Sequence, residues 1–246
     1  MGALGRRLAL GLALLLAALP ASAESVDVEL VLLADASGSI DTAELRFQRQ
    51  GYAEAMRSPE VLAAIAGGLD GRIAVTYVEW AAESSQDVVV PWQIVDGRAS
   101  AAAFGEALLA APRRAFGRNA IGSAIAVGHA LIETNAYQGF RRVIDVSADS
   151  SYSWGGIPLP EARAAALEAG IVINGLAVLC LAEDCSGRPM RGDLEGAFAE
   201  RIIGGPGSFV VTARDRASFV DAVRQKLVLE IAGLRPEPGE RHAARH

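Results

Sequence analysis

Sulfur and imidazole are scarce in this chain. Of its 246 residues only two are cysteine, Cys180 and Cys185, and only three are histidine. His242 and His246 fall in a polar stretch at the end. His129 lies beside the apolar face of a helical segment, where a structural histidine is the expectation rather than a catalytic base. Acid–base catalysis therefore has little to work with. There is also no lysine- or arginine-rich run. Without residues 1–23 the chain carries 21 basic and 29 acidic residues, a formal charge of −8, which argues against nucleic acid and anionic membrane surfaces as partners. Beyond the first 23 residues no apolar run is long enough to span a bilayer, so the mature chain is expected to have no membrane span.

Those first residues carry a pattern of their own. Arg6 and Arg7 precede an apolar core from Leu8 to Leu19, and Ala21-Ser22-Ala23 has the small-x-small form of a signal-peptidase site. The expectation is an exported protein, periplasmic or secreted. Its 223-residue mature chain fits one α/β domain, residues 24–233, followed by a disordered polar tail, 234–246. Export places the two cysteines in an oxidising compartment, so a short Cys180–Cys185 disulfide is expected, stabilising a local loop by roughly 2 kcal/mol.

Order of elements gives the fold class. Apolar strand-like runs cover Val28–Ala34, Arg72–Trp80, Asp87–Val95, Arg142–Ala148, Ile171–Val178 and Ser208–Ala213. Helical patterns lie between most of them: from Asp41, over Pro59–Ala66, Ala101–Ala111, from an Asn119 N-cap, over Pro160–Ala169 and over Ala217–Ala232. Strands alternating with helices imply a doubly wound, mostly parallel sheet. The gap between the second and third strands is too short for a crossover helix. The third, which contains Pro91, is therefore expected as an antiparallel edge strand.

In such sheets ligands bind beyond the carboxyl ends of the strands where strand order reverses. Asp35-Ala36-Ser37-Gly38-Ser39 ends the first strand and Asp149 ends the fourth, while Asn119 opens the helix that feeds the fourth. These are hard oxygen ligands with no thiolate or imidazole beside them, so Mg²⁺, Mn²⁺ or Ca²⁺ suits them better than zinc. Asp145 shares the strand face of Asp149 but lies deeper, and a buried, hydrogen-bonded role is expected for it. Gly204-Gly205-Pro206-Gly207 precedes a strand rather than a helix, which makes it a tight turn and not a phosphate cradle. Tyr152 and Trp154, with Ser150, follow Asp149 directly and are candidates for a partner-contacting rim.

Asp35-x-Ser37-x-Ser39, Asn119 three residues before Gly122, and Asp149 after a strand resemble the metal-ion-dependent adhesion site of a von Willebrand factor type A domain. The resemblance runs from about Val26 to Gly233. It implies a Rossmann-like fold and a divalent cation, Mg²⁺ foremost, held by Asp35, Ser37, Ser39, Asn119 and Asp149. One coordination position would be left for an acidic side chain of a protein partner. That family usually has Thr where this chain has Asn119, whose carboxamide reaches one bond farther, and Gly where it has Ser150. The Trp80 and Val90-Pro91-Trp92 segments, Val143–Ser147, Ile203–Phe209 and Lys226-Leu227 also resemble the bacterial exported domain-of-unknown-function family 1194, a name that implies no activity. The function expected is a non-enzymatic binding module. A metal-independent scaffold subunit of an envelope complex is the first alternative and a metal-dependent hydrolase the second. Reduction and alkylation of the oxidised protein should change its electrophoretic mobility; unchanged mobility would rule out the bridge.

Overall fold

A computed structural model of the chain describes residues 23–179 and 193–234. The leader through Ser22, both cysteines and the tail after Leu234 lie outside the described residues, as does the expected disulfide.

Chain order is β1 (Glu24–Asp35), α1 (Thr42–Met56), α2 (Pro59–Ala66), β2 (Ile73–Trp80), β3 (Gln86–Val95), α3 (Arg98–Ala110), α4 (Ile121–Thr134), β4 (Tyr137–Ala148), α5 (Leu159–Glu168), β5 (Val172–Val178), α6 (Leu194–Arg201), β6 (Val210–Ala213) and α7 (Arg216–Ala232). The sheet runs β3-β2-β1-β4-β5-β6, with every neighbouring pair parallel except β2 with β3. This is the doubly wound sheet with one antiparallel edge that the sequence pattern implies. Pro91 sits on that edge strand, beside a register irregularity where Tyr77 faces Val90. A missing backbone donor is tolerated there.

β1 lies at the centre and is buried along its length, as its unbroken apolar run requires. Its alternate side chains feed two cores. Leu30 and Leu32 join Tyr52 of α1, Val61 of α2, Phe104 of α3 and Leu227 of α7 on one face. On the other, Val31 and Leu33 pack with Ile125 of α4, Ala162 of α5 and Phe198 of α6. Helix ends follow local chemistry. Asp41 Oδ1 accepts the Glu44 N–H at 2.8 Å, Ser58 caps α2, and Gly233 ends α7 at φ 68° in the left-handed region.

One expectation is corrected. Asn119 is not the N-cap of α4: the helix starts one residue later, after Ala120. Ala120 N–H is drawn to Ala81 O at 2.8 Å, extending the chain there. The free donor of Gly122 is met instead by Ser153 Oγ at 3.2 Å, from a loop distant in sequence.

The chain's single lysine, Lys226 on α7, is buried in the first core. Its Nζ pairs with Asp145 and, at 2.7 Å, with Glu230 Oε1, while Asn174 Nδ2 donates to the same Glu230 oxygen at 3.0 Å. Asp145 is thus the buried structural acid expected of it. Burial raises its carboxyl pKa, to about 7, although Lys226 pulls it down; Glu230 pushes it up further. The pair ties β4 to α7 through the core. Lys226→Ala should destabilise the protein by about 3 kcal/mol or more in denaturant unfolding at neutral pH. The loss should shrink below pH 7, where Asp145 takes up a proton. Amine-reactive reagent should modify position 226 only after unfolding.

Candidate metal centre

The ladder between β1 and β4 aligns Ala34 with Ser147, so Asp35 and Asp149 leave adjacent central strands within about one residue of each other. This is the point where the chain's crossovers switch sides of the sheet. The segment after Asp35 is held from three directions. Ala36 N–H extends the β1–β2 ladder to Trp80 O at 2.9 Å, Gly38 N–H reaches Gly117 O at 2.8 Å, and Ile40 N–H closes a turn onto Ser37 O at 3.0 Å. Below it, Ala36, Ile40, Leu45, Ala81 and Ala115 form a small apolar cluster.

Arg113 secures the same loop. Its guanidinium donates to Ile40 O at 2.9 Å, Ala36 O at 2.7 Å and Ser37 O at 3.4 Å. Arg113 in turn follows a segment pinned by Arg49, which forms a buried bidentate pair with Glu79 at 2.6 and 2.8 Å and donates to the carbonyls of Ala111 and Pro112. Neither arginine stood out in the sequence. Their roles depend on carbonyls more than sixty residues away, of which a local sequence pattern gives no hint.

Inside the loop the acids and hydroxyls converge. Asp35 is 1% exposed, and its Oδ1 accepts the Ser37 N–H at 2.7 Å. Ser37 Oγ lies 3.3 Å from Ser39 Oγ. Asp149 lies near enough to Asp35 and Ser39 for their charges and dipoles to act on its carboxyl. Asp35 Oδ2 is buried with no hydrogen-bond donor among the described residues. Burial, then the Asp149 charge, pushes the Asp35 carboxyl up to about 8, and burial also raises that of Asp149. Among the described residues no group of three or more His, Cys, Asp or Glu side chains is placed to hold a metal, here or elsewhere; the pit brings together two acids, and its other oxygens are hydroxyls.

Asn119 is half-buried. Its carbonyl oxygen accepts the Trp154 N–H at 2.5 Å, which places its backbone between the 113–118 and 150–158 loops. The loop after Asp149 bends back at once: Ser150 Oγ accepts the Tyr152 N–H at 3.2 Å. It then closes onto the start of α4, where Ser123 Oγ accepts the Ile157 N–H at 3.2 Å. A Cβ at Gly122 would run into the Ile157 carbonyl oxygen, and one at Gly156, which has φ 68°, into Ser123 Oγ. Close backbone approach therefore fixes glycine at both positions. Tyr152 and Trp154 stand 59% and 56% exposed.

Four sequence-derived residues, Asp35, Ser37, Ser39 and Asp149, thus meet in one place, while Asn119 is tied by its backbone to the loop after Asp149. The donor set of the four fits a hard divalent cation: two carboxylates with an orphaned buried oxygen, and two hydroxyls. In the metal-free protein the burial of Asp35, with the Asp149 charge second, makes stability pH-dependent. Asp35 binds its proton far more tightly folded than unfolded, where 3.8 applies. Folding stability should therefore fall as pH rises from about 4 to about 8, by at most ~1.4 kcal/mol per pH unit for this proton. Asp35→Asn should flatten this slope in metal-free urea titrations. A slope unaffected by the substitution would mean that the two acids do not share the site.

No curated protein matches the sequence. Solved structures do match the fold. Proximal thread matrix protein 1 from the mussel byssus, in a structure described as having a zinc-occupied MIDAS motif, is 14% identical with a TM-score of 0.60; the match covers 85% of this chain and 48% of that one. The chain spans about half the length of that protein. The vWF domain of the type V pili tip protein Mfa5 from Porphyromonas gingivalis is 9% identical with a TM-score of 0.54, covering 86% of this chain and 97% of that one. BatB from Bacteroides thetaiotaomicron is 20% identical at 0.52, covering 84% and 99%. At these identities the likeness establishes a von Willebrand factor type A fold. The family model described as "Protein of unknown function (DUF1194)" matches residues 25–235, and the chain belongs to that family.

Proposed function

We propose that this protein is an exported binding module that grips a protein partner through a divalent cation held by Asp35, Ser37, Ser39, Asn119 and Asp149. The observation that carries the reading is the buried Asp35 Oδ2, which has no hydrogen-bond partner and feels the charge of a second carboxyl, on a loop where two serine hydroxyls meet. Proteins do not leave such oxygens facing each other unless a proton or a cation comes between them. When bound, a divalent ion neutralises the two carboxylates and offers its remaining coordination position to an outside oxygen ligand. Mg²⁺ is the ion expected, with Mn²⁺ or Ca²⁺ as alternatives, because every ligand is a hard oxygen.

The chain's own residues do the rest. Arg113 holds the carbonyls of Ala36, Ser37 and Ile40, which keeps the serine hydroxyls turned toward the acids. With two aspartates and neutral remaining ligands, the filled site is near neutral and still attracts a carboxylate from a partner. Tyr152, Trp154 and Ser150 would line the contact. We take the module to act by binding and not by catalysis: the groups beside the acids are hydroxyls and a guanidinium already engaged with carbonyls, none of them a base. The described residues include no helix long and apolar enough to cross a membrane, and an exported location, periplasmic or secreted, follows from the leader pattern.

Calorimetry tests the reading. Wild-type protein should take up one Mg²⁺ or Mn²⁺ per chain and gain thermal stability on doing so. Asp35→Ala should abolish both. Capture of a partner from envelope extract should be reversed by chelator. No uptake by folded wild-type protein would leave the pit as a proton-sharing structural pair and favour the metal-independent scaffold.

A further inference from the structure

Next to the pit lies a groove of about 520 Å³, lined by Ser151, Tyr152, Ser153, Leu159, Arg163 and Arg201, with Pro160 and Glu200 completing its wall. It runs between the loop after Asp149, the start of α5 and the end of α6. Its charge differs from that of the molecule. The chain as a whole is acidic, yet the groove's lining carries Arg163 and Arg201 against the single acid Glu200, with Arg118 over the neighbouring Trp154 ring, and among the described residues none of the three arginines has a carboxylate within ion-pair distance. Arg163 spends both its contacts on the neutral Ile203 carbonyl, at 2.9 and 2.8 Å. Arg118 lies 4.9 Å from the Trp154 ring centre and Arg201 5.8 Å from that of Tyr152. Exposed guanidinium groups laid over exposed rings leave their N–H edges available.

We propose that this groove seats a second acidic side chain, with an apolar neighbour, from the same partner segment whose first carboxylate reaches the metal. The inference rests on the adhesion reading and adds the partner's chemistry: an extended, doubly acidic peptide. Arg201 and Arg163 attract the second acid, while Tyr152 and Leu159 cover the apolar side chain between. Tyr152 is three residues from Asp149, so the groove begins within ~10 Å of the pit, the span of about three extended residues. The spacing between the two partner acids should therefore be two or three positions. Overall negative charge on this protein would repel such a segment at long range. At physiological salt that repulsion is screened beyond ~8 Å, and the local arginines decide.

The test uses the full chain loaded with Mg²⁺ and a display library of short random peptides. Wild-type protein should enrich sequences with two acids at that spacing. Arg201→Glu, with Mg²⁺ uptake intact by calorimetry, should lose the second-acid preference and bind an enriched peptide about tenfold more weakly. Tyr152→Ala should lose the apolar preference. Magnesium-dependent enrichment that both variants leave unchanged would overturn the groove and spare the adhesion site. Enrichment indifferent to chelator but lost in Arg201→Glu would support the groove and remove the metal. Absence of any enrichment, or flotation with phosphatidylglycerol vesicles that Arg201→Glu abolishes in place of peptide selection, would overturn the proposal.

Discussion

Two acids that repel each other organise the upper end of this molecule. Like charges ~5 Å apart repel by ~3 kcal/mol at an effective dielectric of about 20, so a fold that brings Asp35 and Asp149 into contact must hold them there by force from elsewhere. That force is traceable. The β1–β4 ladder sets their spacing, the Ala36–Trp80 backbone bond carries the sheet one step past the strand end, and Arg113 gathers three carbonyls of the intervening turn. Arg113 is itself placed by the Arg49–Glu79 pair behind it. The repulsion is confined to one contact, while the restraint is spread through two strands and two arginines.

The interior shows the opposite solution to the same problem. Asp145 and Glu230 are also buried acids, but the only lysine of the chain lies between them and Asn174 closes the set. Filling a site with its own cation makes it structural; withholding one makes it receptive. Asp145 on β4 and Asp149 just past its end are both driven up in pKa by burial, yet of the two only Asp149 lacks a compensating cation from the protein itself. This contrast, more than the motif spacing, separates the candidate centre from the core.

Strand succession, the antiparallel edge forced by a short connection and Pro91, and the bounds of Pro59–Ala66 were legible because each depends on neighbours in sequence. So was the convergence of Asp35 and Asp149, which needs only strand order and the topological rule for open sheets. Helix α6 was not. Leu194 and Phe198 are its only buried anchors and Gly196 interrupts them, so eight residues gave no periodic signal. The start of α4 was misplaced by one residue because Ser153, thirty-one residues away from Gly122, supplies the acceptor that Asn119 was expected to provide. Arg113, Arg49 and the groove beside α5 were invisible for the same reason: each is an arrangement of distant segments with no local pattern.

The loop from Ser150 to Pro158 connects these parts mechanically. It touches the pit through Asp149, holds Asn119 by the Trp154 N–H to carbonyl bond, and locks onto α4 through Ser153 and Ser123. Gly122 and Gly156 let the two backbones approach without side-chain interference. A partner that grips Tyr152 and Trp154 therefore bears on the same short loop that holds the Asn119 backbone and follows Asp149. Any free energy by which the metal favours one arrangement of this loop must be returned in the affinity for the partner, since coupling between two sites is reciprocal.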